Sequence, residues 1–235
     1  MTKCSVQAEQ SASCCTIHRQ WGWQMTLQAY QLACTRGERQ LFNDINFEIN
    51  AGDAMRVAGA NGSGKTSLLR LLCGLSFPAA GQVRWRGRNI RAVREEFCSQ
   101  MIYLGHANGV KDDLVAWENV VIASTLSGNP VSRDEAYGAL AQLGLTRAAD
   151  LPTRALSQGQ RKRVALARLR LTMKTPLWIL DEPFTALDQN AVTELCGTLN
   201  QHLAQGGMVV YTTHQEIELS AHRLLCLDLS QDAAC

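Results

Sequence analysis

The chain has 235 residues, a hydrophobic content of 46% and a formal net charge of +2, which together favour one large α/β domain with a full core. No apolar run approaches the roughly 20 residues of a membrane helix, and the small net charge excludes the basic excess that is typical of nucleic-acid binding. Nine cysteines without a CxxC pair or a metal-type spacing indicate reduced thiols in a cytoplasmic protein, and no nucleic acid is expected as a partner.

The first predicted element begins at Met25, because residues 1–24 are polar and lack a periodic pattern. We therefore expect residues 1–24 to form an extension without a fixed structure, and residues 25–235 to form the folded domain. Between residues 41 and 57 apolar side chains recur mostly at every second position, which predicts antiparallel strands that lead into a buried strand.

Residues 92–158 have a different composition, with Ala-rich segments such as "RDEAYGALAQLG" that predict helices in a separate small lobe. A helix (160–172), the apolar strand "PLWIL", a second helix (189–204) and the strand "GMVVYTT" follow in that order. Strands that alternate with helices imply a parallel sheet covered on both faces. The predicted fold is therefore α/β, with a parallel core sheet, an antiparallel β-subdomain and an inserted helical subdomain.

The stretch "GANGSGKTS", residues 59–67, fits the phosphate-loop pattern GxxxxGK[ST] at every defined position. Its glycines let the backbone turn N–H groups toward phosphate oxygens, Lys65 reaches the β- and γ-phosphates, and Thr66 supplies a hydroxyl for Mg²⁺. An apolar strand precedes this loop and a Leu-rich helix follows it, which is the context that the motif requires. The predicted ATP-binding residues are Gly59, Ala60, Asn61, Gly62, Ser63, Gly64, Lys65, Thr66 and Ser67.

A second candidate site follows the apolar run of "LWILDEP", residues 177–183. A strand buried on both faces has this composition, and acids at its carboxyl end emerge where ligands bind in parallel sheets. Asp181 is predicted to hold Mg²⁺ through water, and Glu182 to polarise the attacking water. A helix N-cap would explain Asp181 alone, but not the pair after a phosphate loop. His214, after the strand "MVVYTT", is predicted at the same sheet edge as a γ-phosphate sensor.

The stretch "LSQGQ", residues 156–160, opens a basic helix in the manner of a phosphate-binding helix start, although a complete phosphate loop already lies upstream. Ser157 and the N–H groups around Gly159 could complete a phosphate shell, but without a lysine they could not build one alone. Basic residues alternate with apolar ones along this helix, which favours one buried stripe and one solvated face over a nucleic-acid contact. Those basic residues are Arg161, Lys162, Arg163, Arg168 and Arg170.

The order of these motifs, completed by "TALD" (185–188) and "TTH" (212–214), resembles the nucleotide-binding subunits of ABC transporters over residues 25–228. In that family the LSGGQ-type helix caps the γ-phosphate that the opposite subunit holds. The resemblance implies an ATPase that uses Mg²⁺ and works head to tail with a second copy of itself, with Glu182 and His214 as catalytic residues. The signature residues that would act on the partner's ATP are Ser157, Gln158, Gly159 and Gln160.

Three positions depart from the family pattern. Gln158 stands where the family most often has glycine, and we expect it to be tolerated at the dimer seam. Arg36 stands where an aromatic residue usually stacks on adenine; its guanidinium plane could stack there instead, or it could be an exposed arginine that touches nothing. His106 stands where a glutamine contacts the metal and the lytic water, a catalytic role that would become pH-sensitive with histidine, and Asn108 is a nearby substitute.

The phosphate-loop region, "YLGH" and "LSQGQRKRVALARL" are similar to the ATP-binding subunits of the bacterial cytochrome c maturation system, the heme exporter family. This resemblance implies integral membrane subunits as partners, a peripheral place on the cytoplasmic face of the bacterial inner membrane, and an indirect action on a heme-loaded chaperone. The surface that receives the membrane subunits is expected around residues 107–125, including Val110 and Trp117.

Two alternatives remain open from the sequence. A chain of the same build could serve another small-molecule exporter, and would then differ only in the surface that meets its membrane partner. A cassette protein that acts on DNA or ribosomes belongs to a different class, which usually has two cassettes in one chain or a long coiled-coil insertion. This sequence has neither feature.

Overall fold

The computed structural model describes residues 25–230, so the predicted extension at residues 1–24 lies outside the described residues. No helix within residues 25–230 is both long enough and apolar enough to span a bilayer. Two single-turn 3₁₀ helices, Thr146–Ala148 and Thr153–Ala155, precede the fifth α-helix. The strands and α-helices of the described range are, in chain order, β1 (Thr26–Arg36), β2 (Arg39–Asn50), β3 (Ala54–Ala58), α1 (Lys65–Leu72), β4 (Ala80–Trp85), β5 (Arg88–Asn89), α2 (Arg94–Ser99), β6 (Met101–Leu104), α3 (Ala116–Leu126), α4 (Arg133–Gln142), α5 (Gln158–Leu171), β7 (Leu177–Leu180), α6 (Gln189–Ala204), β8 (Met208–Thr212) and β9 (Leu224–Asp228).

Four strands form an antiparallel sheet in the order β2-β1-β4-β5. In the register of β1 with β4, Leu27 lies opposite Trp85 and Ala29 lies opposite Val83, so four buried apolar side chains share one face. That face packs with α1 onto the parallel sheet. The alternation predicted between residues 41 and 57 corresponds to β2 and to most of β3.

Five strands form a parallel sheet in the order β6-β7-β8-β3-β9. Strand β7 is covered on both faces: Leu177 and Ile179 belong to the core under the antiparallel sheet, whereas Trp178 and Leu180 belong to the core under α5 and α6. All four side chains are fully buried, as a continuous apolar run predicts. Because parallel strands end at the same edge of a sheet, the segments that follow β3, β7 and β8 meet there.

Helices α3, α4 and α5 pack on one another and form the helical lobe, with Val120, Leu140 and Val164 in their shared core. The lobe was predicted to begin at residue 92, but β6 lies inside that range and pairs with β7 in the parallel sheet. The helices that form the lobe therefore begin at α3. A run of four apolar residues such as "MIYL" is too short to show whether it forms a buried strand or a buried helix. The sequence therefore could not show where the helical lobe begins.

The prediction of a solvated face on α5 is wrong. Lys162 is only 6% exposed, and the guanidinium groups of its neighbours contact acceptors within the chain. Arg161 donates to the Leu156 carbonyl at 3.2 Å and Arg168 donates to the Ser127 hydroxyl at 2.6 Å. Helix α5 lies between the lobe and the parallel sheet, so Lys162 is buried and the arginines of this helix are half-buried.

Candidate active site

The phosphate-loop residues connect β3 to α1, as the motif predicts. Gly59 and Gly64 have φ angles of 136° and 105°, a backbone conformation that side chains other than glycine rarely adopt. A Cβ atom at Gly59 would lie 2.5 Å from Ser63 Oγ, so a larger residue there would also displace the Ser63 side chain. Gly64 is the N-cap of α1, and the first N–H groups of this helix therefore open at the loop.

The Lys65 ammonium lies over its own loop. Its Nζ donates to the Gly59 carbonyl at 2.7 Å and to the Ala60 carbonyl at 3.2 Å. These contacts place a positive charge beside a row of N–H groups, the combination that phosphate-binding loops use.

Asp181 is almost fully buried, and both of its carboxylate oxygens accept hydrogen bonds from hydroxyl groups. Thr66 Oγ1 donates to Oδ2 at 2.9 Å, and Thr212 Oγ1 donates to Oδ1 at 2.8 Å. The Glu182 N–H donates to the same Thr212 hydroxyl at 2.8 Å. The network joins the segments after β3, β7 and β8. Its hydroxyl and carboxylate oxygens are hard donors that fit Mg²⁺.

Glu182 adopts a left-handed backbone conformation with φ of 50°, which is uncommon for a residue other than glycine and is typical of functional sites. Its Oε1 is buried and lies 3.3 Å from His214 Nε2, without the geometry of a hydrogen bond. Its Oε2 accepts a long bond of 3.4 Å from the Thr185 hydroxyl. The structure therefore brings Glu182 and His214 together at one sheet edge.

One cavity of about 520 Å³ opens among these side chains, a volume in the range of small-molecule sites. Arg36 and His106 both line it, so these two departures from the family pattern face the same space as the phosphate loop. Asn108 instead lines a smaller cavity with Val110 and Arg168. The other predicted residues that line the large cavity are Asn61, Gly62, Gly64, Lys65, Thr66, Ser67, Asp181, Glu182 and His214.

The signature residues lie elsewhere: Ser157, Gln158, Gly159 and Gln160 are not among the residues that line this cavity. Ser157 is the N-cap of α5, and its hydroxyl accepts from the Gln160 N–H at 3.2 Å. In return Gln160 Oε1 accepts from the Ser157 N–H at 2.9 Å, which completes a capping box. The remaining N–H groups of the first turn have no acceptor in α5 itself, as at every helix start.

Two residues that influence the carboxylates were not predicted as individual site residues from the sequence. Thr212 ends β8 opposite Val57 of β3, and this register places its hydroxyl against Asp181. Lys162 is buried on α5; burial lowers the pKa of its ammonium, and the carboxylates of Asp181 and Glu182 oppose that shift. The motif "TTH" contains Thr212, so the sequence offered a signal for this residue. No sequence signal distinguished Lys162 from Arg161 and Arg163 beside it.

A model of the family described as ABC transporter matches residues 42–185, which is more than half of the chain. Two similar relatives are both named cytochrome c biogenesis ATP-binding export protein CcmA. The protein of Nitrosospira multiformis is 51% identical over 87% of this chain and 99% of its own. The protein of Nitrosomonas europaea is 54% identical over 83% of this chain and 91% of its own.

Solved structures show the same fold. A putative ABC transporter ATP-binding protein from Pyrococcus furiosus has a TM-score of 0.74 at 21% identity, and the match covers 89% of this chain and all of that one. A dimeric ATP-binding cassette, bound to ADP and Pi in a post-hydrolysis state, has a TM-score of 0.73 at 23% identity over 87% of this chain and 95% of that one.

These comparisons confirm the predicted fold class and the resemblance that the motifs indicated. The matched region contains both the phosphate loop and the Asp181–Glu182 pair. The chain therefore belongs to the ABC transporter family, in the group of the cytochrome c biogenesis ATP-binding export proteins.

Proposed function

We propose that the chain is the ATP-hydrolysing subunit of an ABC transporter complex that handles or exports heme in cytochrome c biogenesis. Its relatives support the biological role, since they carry cytochrome c biogenesis and export in their names and match over nearly their whole length. One observation carries the ATPase role: Thr66 and Asp181 are hydrogen-bonded at 2.9 Å beside a phosphate loop that lines the same cavity as Glu182.

ATP is the substrate in this proposal, and Mg²⁺ is its cofactor. The phosphate-loop N–H groups and Lys65 bind the β- and γ-phosphates. Thr66 and Asp181 would hold Mg²⁺, which would neutralise negative charge on the phosphates. Glu182 accepts a proton from the attacking water, and His214 contacts the γ-phosphate from its place 3.3 Å from Glu182.

Two of the three positions that depart from the family pattern, Arg36 and His106, have roles in the same cavity. Arg36 stacks its guanidinium plane on adenine in place of an aromatic ring. His106 contacts the metal or the lytic water in place of a glutamine. The support for both roles is that the two side chains line the cavity together with Lys65 and Glu182.

The working unit is a head-to-tail pair of this chain. The exposed first turn of α5, with Ser157 and Gly159, completes the phosphate site of the opposite copy. Supporting this arrangement, residues 157–160 do not line the cavity of their own chain, although they form a helix start with free N–H groups.

Integral membrane subunits are the further partners, and the pair lies beneath them on the cytoplasmic face of the bacterial inner membrane. They dock around residues 107–125, where Val110 and Trp117 are half-buried and Ile122 on α3 is exposed. The heme-loaded chaperone is acted on indirectly, through those subunits.

The decisive experiment uses Glu182→Gln in the native host. The variant should bind ATP, stop turnover and remain as a long-lived dimer, because the substitution removes the base and keeps the size of the side chain. Mass spectrometry of proteins that co-purify with the trapped dimer should identify membrane subunits of cytochrome c maturation. Glu194→Gln, at an exposed position on α6, is the matched control and should turn over normally.

Two results would contradict the proposal in different ways. Recovery of an unrelated permease would keep the ATPase and move the cargo to another small-molecule exporter. Normal hydrolysis by Glu182→Gln, or a monomer in ATP, would remove Glu182 from the role of the base.

A further inference from the structure

Residues 54–94 contain no aspartate or glutamate, although they include seven arginines. Five of these arginines lie within residues 84–94, in and after strands β4 and β5. Glu96 of α2 pairs with two of them, with Arg86 at 3.5 Å and with Arg88 at 3.1 Å. The arginines of this segment that have no carboxylate partner within residues 25–230 are Arg84, Arg91 and Arg94. The segment therefore has an uncompensated positive charge.

Large apolar side chains are exposed in the loop between α1 and β4, in the same segment. Phe77 is 83% exposed and Leu75 is 57% exposed. The loop is held at both ends, because the Leu75 N–H donates to the Arg70 carbonyl at 2.9 Å and the Ala79 N–H donates to the Ala33 carbonyl at 2.8 Å. The exposed side chains therefore belong to an anchored loop, and exposed apolar groups of this size typically mark a contact with a partner.

Two arginines lie over aromatic rings. In the loop pair, the Arg91 guanidinium carbon lies 3.6 Å from the centroid of the Phe77 ring, and Arg91 also donates to the Ser76 carbonyl at 3.2 Å. In the strand pair, the Arg84 guanidinium carbon lies 5.4 Å from the centroid of the Tyr30 ring, and Tyr30 is 50% exposed. Each pair places a cation beside an aromatic side chain that solvent can reach.

The two pairs lie on one surface. Tyr30 of β1 lies opposite Gln82 of β4, and Arg84 of β4 lies opposite Asn89 of β5. The side-chain amides of Asn89 and Gln82 contact each other at 2.9 Å, and both residues line a cavity of about 230 Å³ together with the loop pair. The arginine surface consists of the two pairs and Leu75.

The arginine surface is separate from the ATP site, because none of its residues lines the ATP cavity. The phosphate loop precedes α1 and the loop with Phe77 follows it, so this eight-residue helix separates the two loops by roughly 12 Å. None of its residues belongs to the docking range 107–125 either. The exposed rings and unpaired arginines therefore need an occupant other than the nucleotide.

We propose that the arginine surface binds the anionic phospholipid headgroups of the membrane. Guanidinium groups match phosphate oxygens with paired hydrogen bonds, and these arginines have no carboxylate partner to displace. Aromatic and leucine side chains beside the cations enter the boundary between headgroups and acyl chains, so both features of the surface are used. The inference rests on the proposed place of the chain at the cytoplasmic face of the membrane, whose anionic lipids attract basic segments.

The first test measures how the full-length chain binds lipid vesicles in a sedimentation assay. The unmodified protein should bind vesicles that are about one-third phosphatidylglycerol and two-thirds phosphatidylcholine, and should not bind vesicles of phosphatidylcholine alone. Arg91→Gln removes one cation and should weaken binding by roughly fivefold. Phe77→Ser removes the exposed ring and should weaken binding at least as much.

Two control variants change exposed side chains elsewhere. Leu126→Ser replaces a side chain that is as exposed as Phe77, at the end of α3, and Arg147→Gln replaces an exposed arginine of a 3₁₀ helix. Both should bind the vesicles like the unmodified protein. Equal binding to both kinds of vesicle, no binding to either, or equal losses in the controls would overturn the proposal. An acidic protein as the true occupant would give the second of these results.

A second measurement distinguishes this proposal from the proposed function. ATP hydrolysis and Tm of Arg91→Gln and Phe77→Ser should equal those of the unmodified protein, because both side chains are exposed and neither lines the ATP cavity. Normal hydrolysis by a chain that does not bind vesicles would remove the lipid contact and keep the ATPase. Vesicle binding by a chain that hydrolyses no ATP would support the lipid contact and remove the proposed function.

Discussion

His202 lies flat on Trp178, with ring centroids 3.7 Å apart and ring planes 3° from parallel. The imidazole is fully buried, and this burial lowers its pKa to about 4, although backbone carbonyl groups of Met173, Met208 and Pro176 oppose the shift. The ring is therefore neutral in the folded protein at neutral pH, whereas in the unfolded chain it protonates near pH 6.5.

This difference predicts how stability depends on pH. The folded state binds fewer protons than the unfolded chain below pH 6.5, so the contribution of His202 is complete above that pH and is lost as pH falls toward 4. The loss should reach about 3 kcal/mol. His202→Phe keeps a flat ring against Trp178 and removes the titration, so urea unfolding at neutral pH and near pH 4.5 should show a smaller drop for the variant. An equal drop in both proteins would contradict the prediction.

Some residues of the candidate site could be predicted from the sequence, and others could not. The phosphate loop and the Asp181–Glu182 pair were predictable, because their chemistry lies in contiguous residues with an apolar strand in front. The contacts of Thr212 depend on the register of β8 against β3 and β7, which a single strand does not encode. The position of Lys162 depends on which helices cover α5, a property of the whole fold.

At the scale of elements, α5 has one observed and one proposed function, and both depend on Ser157. Ser157 caps the helix within its own chain, through the reciprocal bonds with Gln160, and in the proposed pair it faces the partner's phosphate. Helix α4 has the same kind of capping box, formed by Ser132 and Glu135. Neither of these residues lines the cavity. A substitution at Ser132 therefore tests the effect of helix capping alone, whereas the same substitution at Ser157 tests capping together with the proposed phosphate contact.

The prediction concerns Ser157→Asp. Aspartate caps a helix about as well as serine, so Tm should change by less than about 2 °C, but its negative charge would meet the partner's phosphate and ATP hydrolysis should fall sharply. Ser157→Ala should lose about 1 kcal/mol of stability with the cap. Ser132→Asp is the matched control and should leave hydrolysis unchanged. Hydrolysis at the normal rate in Ser157→Asp would remove the phosphate contact from Ser157.

The boundaries of an element could be predicted accurately where the local sequence pattern was strong. Helix α6 has the predicted bounds, because a capped amphipathic helix is a clear signal. Strand β6 was hidden within the predicted lobe. The solvated face of α5 was wrong because the lobe and the sheet cover it from both sides, which helical periodicity cannot report.

At the scale of the whole molecule, the proposed head-to-tail pair makes each ATP site from two chains. One chain supplies the phosphate loop and Glu182, and the other supplies Ser157. By symmetry the same chain contributes the opposite halves to the second site. When one chain carries a defect at Ser157 and the other carries a defect at Glu182, both defects therefore fall on one site and leave the second site intact.

Mixing two inactive variants tests this arrangement. A pair that combines a Ser157→Asp chain with a Glu182→Gln chain has one intact site and one site with both defects. An equal mixture should recover roughly a quarter of the normal rate, since about half of the dimers are mixed and one of their two sites works. Each variant alone is the control. A mixture no more active than the two variants measured separately would place the whole site within one chain.

The sheet order has a consequence for how the protein is made. The phosphate loop follows β3 and the carboxylates follow β7, but β8 lies between these strands, and β3 pairs with β8 and β9 rather than with β7. During synthesis the ribosome completes the phosphate loop about 145 residues before Thr212 exists, and until then β3 lacks both neighbours in its sheet. The ATP site is thus assembled by one of the last strands to emerge, and a nascent chain can neither build nor use it early.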